Sequence, residues 1–228
     1  MIASGVHMSL PGLRINSACA PAAASLIQAF SNVVTPHISD NLGRHIGARG
    51  LTRLNKTGKL VGTALTVKTR PGDNLYIYKA MTMLRPGHVL VIDAQGDLNN
   101  AVIGELVKLY ADMRGCVGYV VDGVIRDVVA FENTPLYARG VMHCGPYKDG
   151  PGEVNVPVSI GGMIVTPGDI LVGDEDGLVA FPQADASEVL RLAGLHAEHE
   201  RRVMAEIATG EHRQSWLEAT LAARGLLD

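Results

Sequence analysis

Aromatic side chains make up only 4% of the 228 residues, with a single Trp and three Phe. A core must therefore be assembled from Val, Leu, Ile and Ala. Cysteine is equally sparse: Cys19, Cys116 and Cys144 are odd in number and lack CxxC or Cys/His spacing. The three read as reduced, mostly buried thiols of a cytoplasmic protein, not as a disulfide framework or a cysteine zinc site. No apolar run approaches the ~20 residues of a membrane span. Met1 to Leu13 has no charged segment followed by a long apolar stretch, so a secretory signal is not expected. The segment reads instead as a loose N-terminal arm. Nor is there an excess of positive charge. Twenty Lys and Arg stand against 23 Asp and Glu, a net charge of −3, which argues against a general nucleic-acid binder. The signatures GxGxxG opening a helix, GxxxxGK[ST], GxSxG and HExxH are missing too, which removes the usual supports for nucleotide binding, serine hydrolysis and zinc proteolysis.

What is present is a 47% hydrophobic, 19% charged chain, enough apolar material for one substantial domain. Helices are expected over Pro21 to Asn32, with Pro21 in the first turn, and within Thr35 to Gly50, where Ser39 or Asp40 is placed to cap. A further helix is expected over Leu75 to Leu84. Val61 to Thr69 alternates and is β-branched, a strand pattern, and His88 to Ala94 is a short buried-strand run. Gly104 to Arg114 places Leu106, Leu109, Tyr110 and Met113 on one helical face, with Gly115 suited to the left-handed position after its end. Val117 to Val121 follows as a strand, which completes a parallel βαβ unit. Short strands are then expected over Val154 to Val158, Gly162 to Val165, Ile170 to Val172 and Leu178 to Phe181, with Asp176-Gly177 as a tight turn. Ala184 to Gly210 is a long charged helix, on which His196 and His199 read as part of a solvated face.

Chemistry concentrates in the segment from Gly96 to Asp127. In parallel α/β units, ligands bind at the carboxyl ends of strands. The loops Gly96 to Gly104 and Asp122 to Asp127 should therefore lie side by side. The first presents the backbone N–H groups of Gly104 to Val107 at a helix N-terminus, a good seat for a carboxylate or phosphate. The second brings Arg126, able to clamp a carboxylate, and Asp127, able to hold a hard divalent ion. Glu105 lies in the first helical turn beside them. Each has a plainer reading: Glu105 as a dipole partner, Asp127 as an N-cap for the following DVVAFE, Arg126 as a surface ion pair. Asp122 is expected to fix an Asp-Gly turn. Convergence of Glu105, Arg126 and Asp127 on one cleft favours a site, and no lysine is expected there.

The runs GDLNNAVIGEL, GCVGYVVDGVIRD and TPGDILVGDEDGLVAFP, in this order, resemble the RraA-like family, which includes class II pyruvate aldolases acting on 4-hydroxy-4-methyl-2-oxoglutarate and 4-carboxy-4-hydroxy-2-oxoadipate. The resemblance spans roughly Pro36 to Gly210. It implies an α/β swivelling β/β/α-type fold with a central βαβ unit, a core over 1–183, and a C-terminal helical extension over 184–228 used in subunit contacts of a homotrimer or homohexamer. The family's aldolases carry an acid, twenty residues, then Arg-Asp; here these are Glu105, Leu106 to Ile125, and Arg126-Asp127. The usual first acid is Asp, and Glu105 is one methylene longer. By the same resemblance Asp127 is the ligand of Mg²⁺ or Mn²⁺. Arg126 binds the pyruvyl group, and the amides of Gly104, Glu105, Leu106 and Val107 hold its carboxylate. Glu200 or Glu198, from a neighbouring subunit, reaches the metal's water shell. The activity implied is cleavage of a 4-hydroxy-2-oxo acid through a pyruvate enolate, with oxaloacetate decarboxylation at the side. The family also contains non-catalytic regulators that bind a ribonuclease, which is the alternative reading. A methyltransferase and a phosphohistidine carrier using His143 have less in the sequence to support them.

Overall fold

The structure is a computed structural model that describes residues 10–210 and 214–227. Residues 1–9 of the expected arm lie outside the described residues, but its end is not loose. The Gly12 carbonyl accepts the Gly152 N–H at 2.9 Å, and the Arg14 carbonyl accepts the Val154 N–H at 2.8 Å.

The fold centres on an eight-stranded mixed sheet. Strands β2 (Leu60–Thr69), β3 (His88–Asp97), β4 (Gly118–Ile125) and β5 (Leu136–Val141) run parallel. The short β1 (Thr52–Arg53) pairs with the outer edge of β5, and β6 (Gly152–Val154) pairs with β2. The hairpin β9 (Ile170–Asp174) and β10 (Gly177–Phe181) extends the other edge antiparallel. β3 and β4 are apolar on both faces because both faces are covered. Alternate residues such as Leu90, Ile92, Tyr119 and Val121 pack under helices α3 (Leu75–Met81) and α4 (Glu105–Asp112). Their neighbours Val89, Val91 and Val120 meet the small hairpin β7 (Val158–Ile160) and β8 (Met163–Val165). The result is three layers: small sheet, large sheet, helices.

Helices α1 (Ala24–Ala29), α2 (Thr35–Asn41) and the 24-residue α5 (Ala186–Thr209) close a third apolar cluster around Phe30, Ile38, Phe181 and Val189. A last helix, α6, spans Ser215–Ala223. No described helix is long and apolar enough to cross a membrane.

Several local expectations are corrected. α1 starts at Ala24 rather than Pro21, because the Ala22 N–H is drawn onto Thr63 Oγ1 of β2 at 2.9 Å. α2 is not capped by Ser39 or Asp40, which lie inside it. Its first N–H, on Thr35, is held by Asp174 Oδ2 at 2.7 Å from the end of β9. The β9–β10 turn is Glu175-Asp176, with Gly177 already paired to Asp174. The expected strand Val154 to Val158 is two, since β6 ends at Val154 and β7 starts at Val158. Asp122 makes no turn; it lies within β4, pairs with Arg139 and accepts the Gly161 N–H at 2.7 Å. Cys116 alone is a buried thiol, pushed up to about 11 by burial, whereas Cys19 and Cys144 are exposed. β5 has no counterpart among the expected strands.

α4 brings the largest surprise. It buries Val107 and Ala111 and leaves the apolar face of Leu106, Leu109, Tyr110 and Met113 in solvent, with Leu106 73% and Met113 71% exposed. Gly115 does take the left-handed position after the helix, φ +82°, and a Cβ there would lie 2.6 Å from Pro86 Cα.

Candidate active site

The parallel strands β3, β4 and β5 end on one edge, and the backbone laces their loops together there. The Val102 N–H reaches the Val124 carbonyl at 3.1 Å, Arg126 N–H reaches Ile103 at 3.0 Å, and Met142 N–H reaches Ile125 at 2.9 Å. Asp97 folds the loop before α4 by accepting the N–H groups of Asn99 and Asn100 at 3.3 Å each. Asn100 then anchors that loop to the Gly145 carbonyl at 2.7 Å. The two loops thus lie side by side as expected.

Asp127 sits in left-handed backbone, φ 55° and ψ 40°. Asp tolerates that region better than most residues. The conformation precedes a 3-10 turn (Val128–Phe131), but the Asp127 side chain does not cap it. The carboxylate instead swings onto the start of α4, where Oδ2 accepts the Glu105 N–H at 3.1 Å. Arg126 Nε lies 3.7 Å from the same oxygen. Both side chains are nearly half exposed, 44% and 46%, so they remain open to a ligand. Oδ1 takes no partner among the described residues. The approach is close: a Cβ at 104 would lie 2.5 Å from Asp127 Oδ2 and 2.9 Å from Arg126 Cγ, so both side chains would have to shift.

Two hollows meet at this pair. A cleft of about 630 Å³ is lined by Glu105, Arg126, Asp127, Val128, Val141 and His143, among others. A smaller pocket of about 240 Å³ is lined by Asn74, Tyr78, Gly104, Leu106, Val107, Arg126, Asp127 and Lys148, among others. Every expected residue of the cleft, Gly104, Glu105, Leu106, Val107, Arg126 and Asp127, borders one or both. Leu106 and Val107 carry first-turn N–H groups that no intrahelical carbonyl can serve.

Three polar lining residues, Asn74, Tyr78 and Lys148, escape the sequence reading. Asn74 follows the end of β2, next to β3 in the same parallel set, so the strand-end rule extended by one strand would have found it. Its Nδ2 donates to the Val102 carbonyl at 3.1 Å, while its Oδ1 is buried without a partner. Tyr78 lies one helical turn further on. Lys148 contradicts the expectation of a lysine-free cleft. It arrives through a long-range contact, because buried Asp73 accepts the N–H groups of Asp149 at 2.7 Å and Gly150 at 3.0 Å and so holds that loop. His143, read from the sequence only as a carrier candidate, is an exposed residue that lines the larger cleft.

Glu200 lines neither hollow of its own chain. Its oxygens face two imidazoles, His37 Nε2 at 2.7 Å and His196 Nε2 at 3.3 Å. The hydrogen bond from His37 is the main reason its carboxyl is held below the ordinary range. His196 is accordingly half-buried against α2, not part of a solvated face.

Layering and geometry together define a β/β/α protein whose candidate site lies at the ends of parallel strands and combines an arginine, two carboxylates and a helix N-terminus. A family model described as RraA-like, Aldolase/RraA, matches residues 35–180. The chain belongs to this family. It is 42% identical over 173 residues, 73% of this chain and 81% of the relative, to a Halalkalibacterium halodurans protein whose name proposes a 4-hydroxy-4-methyl-2-oxoglutarate aldolase. It is 35% identical over 113 residues to a 4-hydroxy-4-methyl-2-oxoglutarate aldolase of Thermus thermophilus, 49% of this chain and 69% of that one. Among solved structures, Streptomyces coelicolor RraAS2, described as an unusual member of the RNase ES inhibitor RraA family, superposes with TM-score 0.74 at 26% identity. That match covers 81% of this chain and 98% of that one.

Proposed function

We propose that this protein is a divalent-metal-dependent carbon–carbon lyase that releases pyruvate from a 4-hydroxy-2-oxo di- or tricarboxylic acid, with oxaloacetate decarboxylation as a side activity. The observation that carries this reading is Asp127, fixed in left-handed backbone with one oxygen on the α4 N-terminus and the other unpartnered, beside Arg126 and Glu105. The aldolase names of the relatives agree with it.

The donor set fits Mg²⁺ or Mn²⁺, since Asp127 and Glu105 offer only oxygen, the preference of hard ions, and Mg²⁺ is content with few protein carboxylates. Held by Asp127, the ion would supply a Lewis acid for the 2-keto oxygen. The chain's own residues do the rest. The Leu106 and Val107 amides and the α4 dipole seat the substrate's C1 carboxylate, while the Glu105 amide holds Asp127. Arg126 pairs with the pyruvyl group and places fixed positive charge where the enolate develops as the C3–C4 bond breaks. The electron pair of that bond stays on the pyruvyl fragment, and the C4 hydroxyl proton must leave. Glu105, on the wall of the larger cleft, is the carboxylate placed to take that proton and return one to C3. The unpartnered Asn74 Oδ1 at the pocket's back offers an acceptor to a donor on the substrate.

The exposed face of Leu106, Leu109, Tyr110 and Met113 begins one residue from Glu105. We assign it to a subunit contact of a homotrimer or homohexamer. The site would then lie at a subunit boundary, with residues 184–228 as an extension used in assembly. Sedimentation of the purified protein tests this, and a monomer would refute it.

The likeness to RraAS2 favours a second reading, a regulator that binds a ribonuclease. Pyruvate release from 4-hydroxy-4-methyl-2-oxoglutarate separates the two. Turnover with Mg²⁺ that stops in EDTA is expected, and none at any metal concentration would favour the regulator.

A further inference from the structure

A second cluster lies where α2 packs on α5, outside both hollows of its own chain. His196 and Glu200 stand four residues apart on α5, and His37 faces them from α2. His37 Nε2 is 2.7 Å from Glu200 Oε2, His196 Nε2 is 3.3 Å from Glu200 Oε1, and the rings stack with centroids 4.9 Å apart. One donor atom from each of the three residues lies within 4.8 Å of the others. No other such His, Cys, Asp or Glu group occurs among the described residues. The imidazoles are mostly sheltered, with side chains 14% and 24% exposed.

We infer that His37, His196 and Glu200 form a second metal site, for a borderline divalent ion of the zinc class, that clips α5 onto α2. The donor chemistry separates it from the Asp127 cleft. Imidazole nitrogen suits zinc, cobalt and nickel, whereas an all-oxygen set suits magnesium and manganese. Two His and one Glu make a recognised zinc set with a fourth position left to water. The spacing agrees. Ligands at ~2.0–2.1 Å around a tetrahedral ion stand about 3.3 Å from one another. His196 Nε2 already stands 3.3 Å from Glu200 Oε1, His37 Nε2 must open from 2.7 Å on Oε2, and with one donor atom from each residue within 4.8 Å of the others a small turn of the carboxylate brings the three onto one ion. A supporting residue is also in place. Asn41 Nδ2 lies 3.4 Å from His196 Nδ1 and donates to the His37 carbonyl at 2.8 Å. Turning that amide would aim its oxygen at the Nδ1–H that a metal-bound Nε2 imidazole carries, giving up the bond to His37.

The site does not depend on the lyase reading. The test uses the full chain stripped of metal and titrated with Co²⁺ and then Zn²⁺. Wild type and Asp127→Ala should each take up one Co²⁺ with the visible absorption of a four-coordinate ion, displaced by Zn²⁺. His37→Gln and His196→Gln should bind at least tenfold more weakly, and their metal-free melting curves will show that they fold. At a hundredfold excess over Kd, Zn²⁺ should raise the Tm of wild type by about 5–10 °C and leave the two histidine variants unmoved. Absence of a saturable band would reduce the cluster to a hydrogen-bonded clamp and overturn the site. A band that survives in both histidine variants would come from the exposed Cys19 or Cys144, and a band lost in Asp127→Ala from the cleft. Either result would also overturn it.

Discussion

Asp127 and Asp174 both lie at or just past the end of a strand and turn a carboxylate onto the first turn of a helix, yet their environments are opposite. Asp174 is buried. Its Oδ2 accepts the Thr35 N–H at 2.7 Å, and its Oδ1 accepts the Thr35 hydroxyl at 2.6 Å and the Asp176 N–H at 3.1 Å. Every lone-pair direction that matters is taken by the protein, so this carboxylate can only hold α2 to the sheet. Asp127 spends one oxygen on the Glu105 N–H and leaves the other open beside Arg126. A carboxylate on a helix N-terminus is thus a staple when saturated and a ligand when half-used. The difference comes from location: an antiparallel hairpin end is closed by its own turn, whereas parallel strand ends open on loops.

Mutations should separate the two roles. Asp127→Ala should lose pyruvate-forming activity at least a hundredfold in a coupled assay while its Tm falls by no more than about 4 °C, because an exposed side chain with one hydrogen bond contributes little to stability and Ala in the left-handed backbone at 127 costs only about 1 kcal/mol. Asp174→Ala should do the reverse. Leaving the Thr35 N–H and hydroxyl buried without an acceptor costs about 3 kcal/mol, which a thermal melt would register as a drop of about 6–12 °C. Equal Tm losses in the two variants would erase the distinction. Gly104→Ala pushes the Asp127 carboxylate and the Arg126 side chain off the start of α4, and a misplacement approaching 1 Å costs about a hundredfold in turnover, measured as kcat with the circular dichroism spectrum unchanged. Arg126→Ala removes a charge-assisted pair worth about 1.5–3 kcal/mol, so inhibition by pyruvate should weaken roughly ten- to hundredfold. Unchanged inhibition would put the pyruvyl group elsewhere.

The smallest effect concerns Asp73, which holds the loop bearing Lys148. Burial alone would raise its pKa, but the amides of Asp149, Leu75 and Gly150, with Arg70, outweigh burial and hold it below its ordinary value. Its contribution is therefore fully present above its unfolded pKa, near ~3.9. It is lost as pH falls through the lower folded value. Denaturation midpoints between pH 6 and pH 2, compared with Asp73→Asn, should show a flatter acid limb in the variant.

The βαβ unit and the convergence of Glu105, Arg126 and Asp127 are legible in the sequence because they rest on local patterns and one topological rule. The cap of α2 is not, since Asp174 lies 139 residues from Thr35. Lys148 is hidden for the same reason: only tertiary contacts to Asp73 bring it to the pocket. α4 misleads in the opposite sense. Its periodicity marks an apolar face correctly but cannot say whether the chain's own core or another surface covers it. His196 can be read only against its own helix in the sequence, and its partner His37 comes from α2.

The most direct test of the central claim is pyruvate release from oxaloacetate by wild type and Asp127→Ala, each with Mg²⁺ and with excess EDTA, after subtracting decarboxylation by metal alone. We expect turnover only in wild type with Mg²⁺. Equal turnover by the two proteins would contradict the assignment of the half-used carboxylate as the centre of the site.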